Sequence, residues 1–231
     1  MRAGRRSTPP NLSCVRPRFP PSSRWWSSRG RPVLIGPGEV AVRDESVRGV
    51  VDLVRQRPDD VVIIAVDGHS AAGKSTFARA VAAELDAALV HGDDFYRVMD
   101  EDERAALTPE QGADQYYDCQ RLRSEVLIPL RRGRSVQFRP YDWAANRLAT
   151  DITTIPPARR VVVEGLFVSR PELADVVDLA VLVTADAALR RRRQLARADA
   201  SPEWLARWDA AERWYFDQVR EPDSYDLVIS T

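Results

Sequence analysis

The chain has 231 residues, of which 44% are hydrophobic, and its 34 basic side chains are balanced by 34 acidic ones. This length suits one α/β domain, and the balanced charge gives no general reason to expect nucleic acid or a membrane as a partner. Two cysteines without His or Cys neighbours at metal-ligand spacing argue against a zinc site or a disulfide framework. Such cysteine usage is typical of a reducing compartment, so we expect a cytoplasmic protein. No apolar run approaches the roughly 20 residues that span a bilayer.

The first 32 residues are rich in Arg, Pro and Ser, and the first acidic residue of the chain is Glu39. Such a segment cannot bury enough apolar surface to offset the entropy lost on ordering, which predicts a disordered tail. A basic arm for nucleic acid or a targeting peptide would be functional alternatives, but a secretory signal needs a continuous apolar stretch. We expect a dispensable tail or an over-long translation start, followed by one domain over 33–231.

Helical and strand patterns alternate along that domain. Apolar spacing predicts a first helix over 43–57, closed by Pro58. Further helices are predicted at 74–85, 116–133, 186–199 and 202–216, and buried strands at 60–67, 87–95, 158–167, 175–186 and 225–231. The segment 134–157 contains two alternating strands around a turn near Asn146, which is typical of a hairpin excursion. The pattern predicts the α/β class, with a parallel five-stranded sheet and helices on both faces.

A glycine-rich loop stands between the first predicted strand and the next helix, with Gly68 followed after four residues by Gly73-Lys74-Ser75. Its glycines let the backbone approach a ligand, and N–H groups at a helix N-terminus bind phosphate oxygens. Lys74 is the only lysine of the chain. A compact ammonium fits between β- and γ-phosphates, where the planar guanidinium used elsewhere would not.

We therefore expect a nucleoside triphosphate site. Its predicted residues are Gly68, His69, Ser70, Ala71, Ala72, Gly73, Lys74, Ser75 and Thr76. Ser75 would bind Mg²⁺ through its hydroxyl, and Thr76 would reach the α-phosphate.

Acidic residues end two of the predicted strands, with Asp93 and Asp94 on one and Glu164 on the other. The carboxyl ends of parallel strands converge on the edge of the sheet where ligands bind. An acid there can hold the water shell of Mg²⁺ or accept a proton from an attacking hydroxyl. A helix cap or a solvated turn is the ordinary alternative for an isolated Asp.

Three arginines, Arg190, Arg193 and Arg197, share one face of the predicted helix over 186–199. Arginines on a lid can neutralise the charge that spreads over a phosphoryl group during transfer. This predicts a catalytic lid at about 186–201, and a nucleic-acid patch or a solvated face is the alternative.

Aromatic residues occur in two further places. The cluster Tyr141-Asp142-Trp143 in the hairpin can either stack a base and bond a sugar, or pack in the core. The Trp and Tyr stripe of the helix over 202–216 is more typical of core packing, or of a contact between two copies of the chain, than of a ligand site.

Several segments, taken in order, resemble the uridine kinase group of P-loop kinases, a superfamily that includes phosphoribulokinase, pantothenate kinase and nicotinamide riboside kinase. They are GHSAAGKST, HGDDFYR, FRPYDW, VVVEGLF and an R-x-x-R-x-x-x-R helix. The likeness covers roughly residues 60–230. It implies a P-loop nucleoside/nucleotide kinase-like fold with a helical lid, ATP as phosphate donor, Mg²⁺, and a small-molecule acceptor.

The resemblance also implies a role for individual residues. Asp93 would be the general base and, with Ser75 and Glu164, would lie at the metal. Lys74 would act in catalysis together with the lid residues Arg190, Arg193 and Arg197. The substrate-binding residues would be Asp94, Tyr96, Asp118, Tyr141, Asp142 and Asn146.

Two departures from the family pattern fall in the acceptor pocket. Uridine kinases have a pyrimidine-reading His where this chain has Asn146, and their F-D-H-P-x-A-F-D stretch is replaced by YYDCQRL. The leading hypothesis is transfer of the γ-phosphate of ATP to a primary alcohol, with the 5′-hydroxyl of a nucleoside such as uridine or cytidine favoured. A vitamin, sugar or nucleoside monophosphate kinase is the first alternative. A regulatory P-loop ATPase is the second, although a lid and an acceptor-side acid have no role in a simple switch.

Overall fold

The computed structural model describes residues 44–57, 60–197 and 201–231. The predicted tail over 1–32, Pro58 and the last part of the predicted lid lie outside these residues. The helices are α1 (Asp44–Arg55), α2 (Lys74–Leu85), α3 (Glu101–Ala105), α4 (Pro109–Gln115), α5 (Cys119–Arg121), α6 (Ile128–Arg131), α7 (Ala187–Arg197) and α8 (Pro202–Gln218). The strands are β1 (Val62–Asp67), β2 (Ala88–His91), β3 (Val136–Phe138), β4 (Tyr141–Asp142), β5 (Arg147–Leu148), β6 (Thr153–Ile155), β7 (Arg160–Glu164), β8 (Leu179–Thr184) and β9 (Leu227–Ser230).

Five strands form one parallel sheet in the order β2-β7-β1-β8-β9. The central strand β1 is buried along its whole length, and its alternating side chains enter two separate hydrophobic clusters. Ile63 packs with Val126 and Leu130 on one face, while Ile64 packs with Phe77 of α2 on the other. The prediction of a parallel five-stranded sheet covered on both faces is confirmed.

The second predicted strand is shorter than its sequence pattern indicated. Strand β2 ends at His91, and Gly92–Phe95 form a 3-10 turn. A Cβ built on Gly92 would lie 2.8 Å from the Cγ1 atom of Val168, so a side chain there would clash with the segment that follows β7. The predicted strand included Asp93 and Asp94, whereas tertiary packing ends the observed strand at His91, so both acids lie in the turn that follows it.

Two short helices, α3 and α4, precede the predicted helix over 116–133. Helix α4 begins with a capping box in which Thr108 and Gln111 satisfy each other's backbone N–H groups. The predicted helix itself begins later, at Cys119, where the side chain of Asp118 accepts a hydrogen bond from the N–H of Arg121. It contains a π-helical stretch, Leu122–Leu127, between α5 and α6.

The hairpin excursion consists of two nested antiparallel pairs, β3 with β6 and β4 with β5. The turn between β4 and β5 ends at Asn146, which has a φ of 49°. Asn tolerates this left-handed conformation better than most residues do. The predicted turn near Asn146 is therefore present. Tyr141, which precedes it in β4, is buried in an aromatic cluster with Tyr96 and Trp208.

Helix α8 follows the arginine-rich helix α7 and packs against α4. Ser201 accepts a hydrogen bond from the N–H of Trp204, and Pro202 occupies the first turn, where its missing N–H costs no helical hydrogen bond. Trp208 and Tyr215 are buried in an aromatic cluster. No helix among the described residues is long and apolar enough to cross a membrane.

Candidate active site

The phosphate loop begins at a buried acid, Asp67, which ends β1. Its carboxylate accepts hydrogen bonds from the N–H groups of Gly68 (2.8 Å) and Phe167 (3.0 Å), and from the hydroxyl of Ser169. The hydroxyl of Tyr215 on α8 donates to it over 3.2 Å. Asp67 therefore joins the start of the loop to the segment after β7 and to α8.

Two glycines shape the loop. Gly68 has a φ of 143°, and a Cβ on it would lie 2.1 Å from the carbonyl oxygen of Val183 in β8. Gly73 has a φ of 100° and directly precedes α2. At Gly68 any side chain would overlap the neighbouring strand, so glycine is required by both space and backbone conformation.

The predicted triphosphate-binding residues 68–76 form one continuous segment that leads from β1 into α2. Lys74, Ser75 and Thr76 open that helix, so their N–H groups lie at its N-terminus, which favours anions. The ammonium of Lys74 donates to the carbonyl oxygen of His69 over 3.0 Å. This arrangement can bind the oxygens of a polyphosphate.

Glu164 ends β7, the strand adjacent to β1, and lies next to the start of α2. The Ser75 hydroxyl donates to its Oε2 over 3.0 Å, and the Nδ1 atom of His91 lies 2.7 Å from its Oε1. Burial alone would raise the pKa of the Glu164 carboxyl, but the hydrogen bond and charge of His91, with smaller effects of Lys74 and Ser75, lower it. The hydrogen bond to Glu164 is the main reason why the pKa of His91 is raised. The pair is therefore favoured as imidazolium and carboxylate.

Asp93 lies in the 3-10 turn after β2, where the residue is exposed at the surface although many protein atoms surround its carboxyl group. The hydroxyl of Tyr117 donates to its Oδ1 over 2.9 Å. Burial is the main reason why the pKa of Asp93 lies above its ordinary value, and the charge of Glu164 adds to it. The Tyr117 hydrogen bond and the charge of Lys74 act in the opposite direction. A raised pKa is typical of a carboxylate that exchanges protons in catalysis.

Asp94, the second acid of this turn, is buried. Burial raises the pKa of its carboxyl to about 7, and the charge of His91 opposes that shift while the charge of Asp93 adds to it. Its side chain therefore belongs to the same electrostatic cluster as Asp93 and Glu164.

Helix α7 brings one of the three predicted lid arginines, Arg193, to the phosphate loop, and a second, Arg190, close to Glu212 of α8. The guanidinium of Arg193 donates to the carbonyl oxygen of Ala71 over 3.0 Å. The Nη1 atom of Arg190 lies 4.0 Å from the Oε2 atom of Glu212, and its Nε donates to the carbonyl of Ala185. Arg197 ends α7, and its side chain lies outside the described part of the chain.

On the acceptor side, Tyr96 is enclosed by aromatic and cationic groups and is only 2% exposed. Its ring stacks on Trp143 with centroids 4.5 Å apart, and Trp208 lies at 5.8 Å. The guanidinium carbon of Arg104 lies 4.3 Å from the Tyr96 centroid. Helices α3 and α8 and the hairpin therefore meet around the predicted acceptor residue.

The other predicted acceptor residues have partners within the chain. The Tyr141 hydroxyl donates to Asn146 Oδ1 over 2.8 Å, and the Asn146 amide donates to the Met99 carbonyl over 2.9 Å. Asp142 Oδ1 accepts hydrogen bonds from the backbone N–H groups of Ala144 and Ala145. Asp118 caps α5. These contacts support local turns and helix ends, and the roles of these residues toward an acceptor stay predictions.

Four residues near the site were missed by sequence reasoning: Asp67, His91, Tyr117 and Glu212. Glu212 accepts hydrogen bonds from the N–H of Ser70 (3.0 Å) and from its hydroxyl, and lies 3.1 Å from His69 Nδ1. The sequence did contain a signal for it, because an acid stands within the aromatic stripe of α8.

The oxygen ligands near the loop suit Mg²⁺. Among the described residues no group of three or more His, Cys, Asp or Glu side chains could hold a metal by itself. Mg²⁺ does not need such a group, because it keeps several waters and binds one or two protein oxygens together with substrate phosphates. The Ser75 hydroxyl and the Glu164 carboxylate, 3.0 Å apart, provide that kind of ligand.

Comparison of the chain with known proteins identifies its family. The family described as "Phosphoribulokinase / Uridine kinase family" matches residues 63–201. The chain belongs to this family. It is 30% identical over 146 residues to a uridine kinase of Chlamydia pneumoniae, an alignment that covers 59% of this chain and 64% of that protein. The chain therefore spans slightly less than two thirds of that relative.

Solved structures show the same fold. A "Possible Uridine Kinase" of Bacillus stearothermophilus is similar with a TM-score of 0.62 and 17% identity, covering 80% of this chain and 97% of the other. D-glycerate 3-kinase of Cryptococcus neoformans var. grubii is similar with a TM-score of 0.55 and 12% identity, covering 80% and 93%. At these identities the likeness is one of fold.

Proposed function

We propose that this protein is an ATP- and Mg²⁺-dependent kinase that transfers the γ-phosphate to a primary hydroxyl of a small molecule. One observation supports it above the others. Asp93, an acid with a raised pKa, lies at the same edge of the sheet as the phosphate loop, close enough for the charge of Lys74 to act on it. An acid placed there has a function in transfer to a hydroxyl, and a nucleotide switch does not require it.

Each part of the transfer has a candidate group in this chain. The loop and Lys74 would hold the phosphates, and Ser75 and Glu164 would hold Mg²⁺, which neutralises charge between the phosphates when bound. Asp93 would accept the proton of the acceptor hydroxyl. Arg190 and Arg193 reach the loop or its neighbour Glu212 from α7, from where they would stabilise the transferring phosphoryl group.

The 5′-hydroxyl of a nucleoside is the favoured acceptor, because uridine kinase is the relative's activity and the half-buried ring of Trp143 offers an aromatic surface for a base. A second acceptor class is supported by Asn146. Its amide is bonded on both sides, to Tyr141 and to the Met99 carbonyl, so it is not free to read a pyrimidine edge. A sugar, sugar acid or vitamin alcohol is therefore the alternative, within the same reaction.

The test is ADP release from ATP and Mg²⁺ in the presence of nucleosides, sugars, sugar acids, vitamins and nucleoside monophosphates. We expect turnover with one acceptor class and a loss of about 10² to 10⁴-fold in Asp93→Asn, as for removal of a general base. Asp209→Asn, which removes an exposed carboxylate of α8 paired with Arg213, is the matched control. An ATPase that needs no acceptor and survives Asp93→Asn would refute the proposal. Turnover of a sugar acid but of no nucleoside would select the alternative.

A further inference from the structure

A buried carboxylate on α8, that of Glu212, contacts the first half of the phosphate loop. Glu212 is 1% exposed, yet it lies on the helix face that otherwise presents Trp208, Ala211 and Tyr215 to the core. An isolated charge in such a place destabilises the fold strongly unless hydrogen bonds and opposite charges compensate it. The Glu212 carboxylate meets that condition through the loop itself.

The compensation comes from the second and third residues of the loop. The Ser70 N–H donates to Oε2 over 3.0 Å, the Ser70 hydroxyl donates to Oε1, and the His69 Nδ1 atom lies 3.1 Å from Oε2. Burial alone would raise the pKa of Glu212, but the hydrogen bonds from His69 and Ser70, together with the charges of Lys74 and His69, lower it. The carboxylate is therefore held in its charged form against the loop.

His69 is held from a second direction by the same helix. The Phe216 ring, one helical turn after Glu212, lies 4.3 Å from the His69 ring. The carbonyl oxygen of His69 in turn accepts a hydrogen bond of 3.0 Å from the ammonium group of Lys74. A chain of contacts thus runs from α8 through His69 to the lysine that the site needs for phosphates.

The same carboxylate also faces the lid. The Nη1 atom of Arg190 lies 4.0 Å from Glu212 Oε2, and both side chains are largely buried. Glu212 is therefore placed between the loop and an arginine of α7, although none of its contacts involves the residues predicted to hold the metal.

We infer that Glu212 is a positioning residue for nucleotide binding: with Phe216 it fixes His69 and Ser70, and thereby Lys74 and the loop N–H groups, in the conformation that accepts phosphates. The inference rests on the proposed nucleotide site. It concerns the donor side alone, so it can be tested without an acceptor.

The experiment measures the Kd of the full chain for Mg²⁺·ADP by calorimetry, together with the melting temperature. Glu212→Ala is expected to raise this Kd about tenfold or more, as the loss of one or more charge-assisted hydrogen bonds would. Glu212→Gln retains a neutral acceptor for the Ser70 N–H but lacks the charge, so its Kd should lie between those of the unaltered chain and Glu212→Ala. Asp209→Asn on the same helix should leave the Kd unchanged.

The conservative variant keeps the test decisive if Glu212→Ala fails to fold. A folded Glu212→Gln that binds Mg²⁺·ADP within about twofold of the unaltered chain, or more tightly, would overturn the inference, since removing a carboxylate near phosphates would then cost nothing. A lower melting temperature with an unchanged Kd would overturn it as well, because Glu212 would only stabilise the fold. Absence of Mg²⁺·ADP binding by the unaltered chain would overturn the proposed nucleotide site and with it the role of Glu212.

Discussion

The hydroxyl of Ser75 donates a hydrogen bond of 3.0 Å to Glu164, although the two residues are 89 positions apart in the chain. The contact exists because β7 is the neighbour of β1 in the sheet, so the end of β7 lies beside the first turn of α2. It brings a neutral hydroxyl oxygen and a charged carboxylate together at the edge where the phosphate loop begins.

Replacing Glu164 tests this contact as a Mg²⁺ site. Glu164→Gln removes the charge that a divalent cation requires while keeping the size of the side chain. We expect the Mg²⁺ concentration for half-maximal ADP release to rise about tenfold or more, as for loss of a charged ligand contact. A Mg²⁺ titration measures it, with Glu221→Gln at an exposed position as control. An unchanged Mg²⁺ requirement in Glu164→Gln would place the metal elsewhere.

Removing the hydrogen bond from Tyr117 to Asp93 is expected to change how activity depends on pH. Its hydroxyl donates to Asp93, and this bond lowers a pKa that burial and the charge of Glu164 raise. A general base must be deprotonated, so activity rises with pH through the pKa of Asp93. In Tyr117→Phe that pKa should be higher still, so the acid limb of kcat/KM against pH moves to higher pH and activity is lost mainly on the acid side.

The control for the pH profile is the adjacent residue. Tyr116→Phe removes a hydroxyl that makes no bond to Asp93, and should leave the acid limb in place. An acid limb in Tyr117→Phe that stays put or moves to lower pH would contradict the assignment of Asp93 as the base.

Two glycines give opposite predictions for stability. Gly68→Ala would place a Cβ 2.1 Å from the Val183 carbonyl oxygen at a φ of 143°, so we expect a loss of more than about 3 kcal/mol or no folded protein. Gly49 lies within α1, and a Cβ there meets nothing within 4 Å. Gly49→Ala should therefore increase the free energy of unfolding by about 0.5–1 kcal/mol. Denaturant unfolding measures both, and a tolerated Gly68→Ala would contradict the close approach of loop and β8.

Asn146 is expected to stabilise the hairpin. Asn146→Ala removes the bonds to Tyr141 and to the Met99 carbonyl, and puts alanine at a φ of 49°, so the free energy of unfolding should fall by about 1–3 kcal/mol. Asn146→Asp keeps the acceptor for Tyr141 and should lose less. Urea unfolding measures the change. Equal stability of Asn146→Ala and the unaltered chain would contradict a stabilising role of these two hydrogen bonds.

The sequence predicted well those features whose residues are contiguous. The phosphate loop could be recognised because its glycines and Lys74 follow each other at fixed spacing, and α2 was predicted with its observed bounds, Lys74–Leu85. The sheet followed from β-branched runs that alternate with helices. The strand before Asp93 was predicted too long, because a close approach of Gly92 to the segment after β7 ends it at His91.

The partners of the candidate site could not be predicted in the same way. Glu212 reaches Ser70 across 142 positions, and Tyr117 reaches Asp93 across 24. No local pattern contains such pairs, because they arise only when the helices pack on the sheet. The four acids predicted on the acceptor side differ in their partners. Asp93 accepts a hydrogen bond from the distant Tyr117, and Asp94 is buried beside it. Asp118 and Asp142 bond to nearby backbone N–H groups.

The amino-acid sequence by itself determined a phosphate-binding loop, its single lysine and the alternating order of strands and helices, since local spacing and hydrophobic periodicity are sufficient for these. Only the tertiary structure decided which charges meet. It placed Glu164 against Ser75 and raised the pKa of Asp93. It also buried Glu212 against the loop. Burial and electrostatic interaction depend on distances through space, and those distances are fixed when the sheet brings the ends of separate strands together.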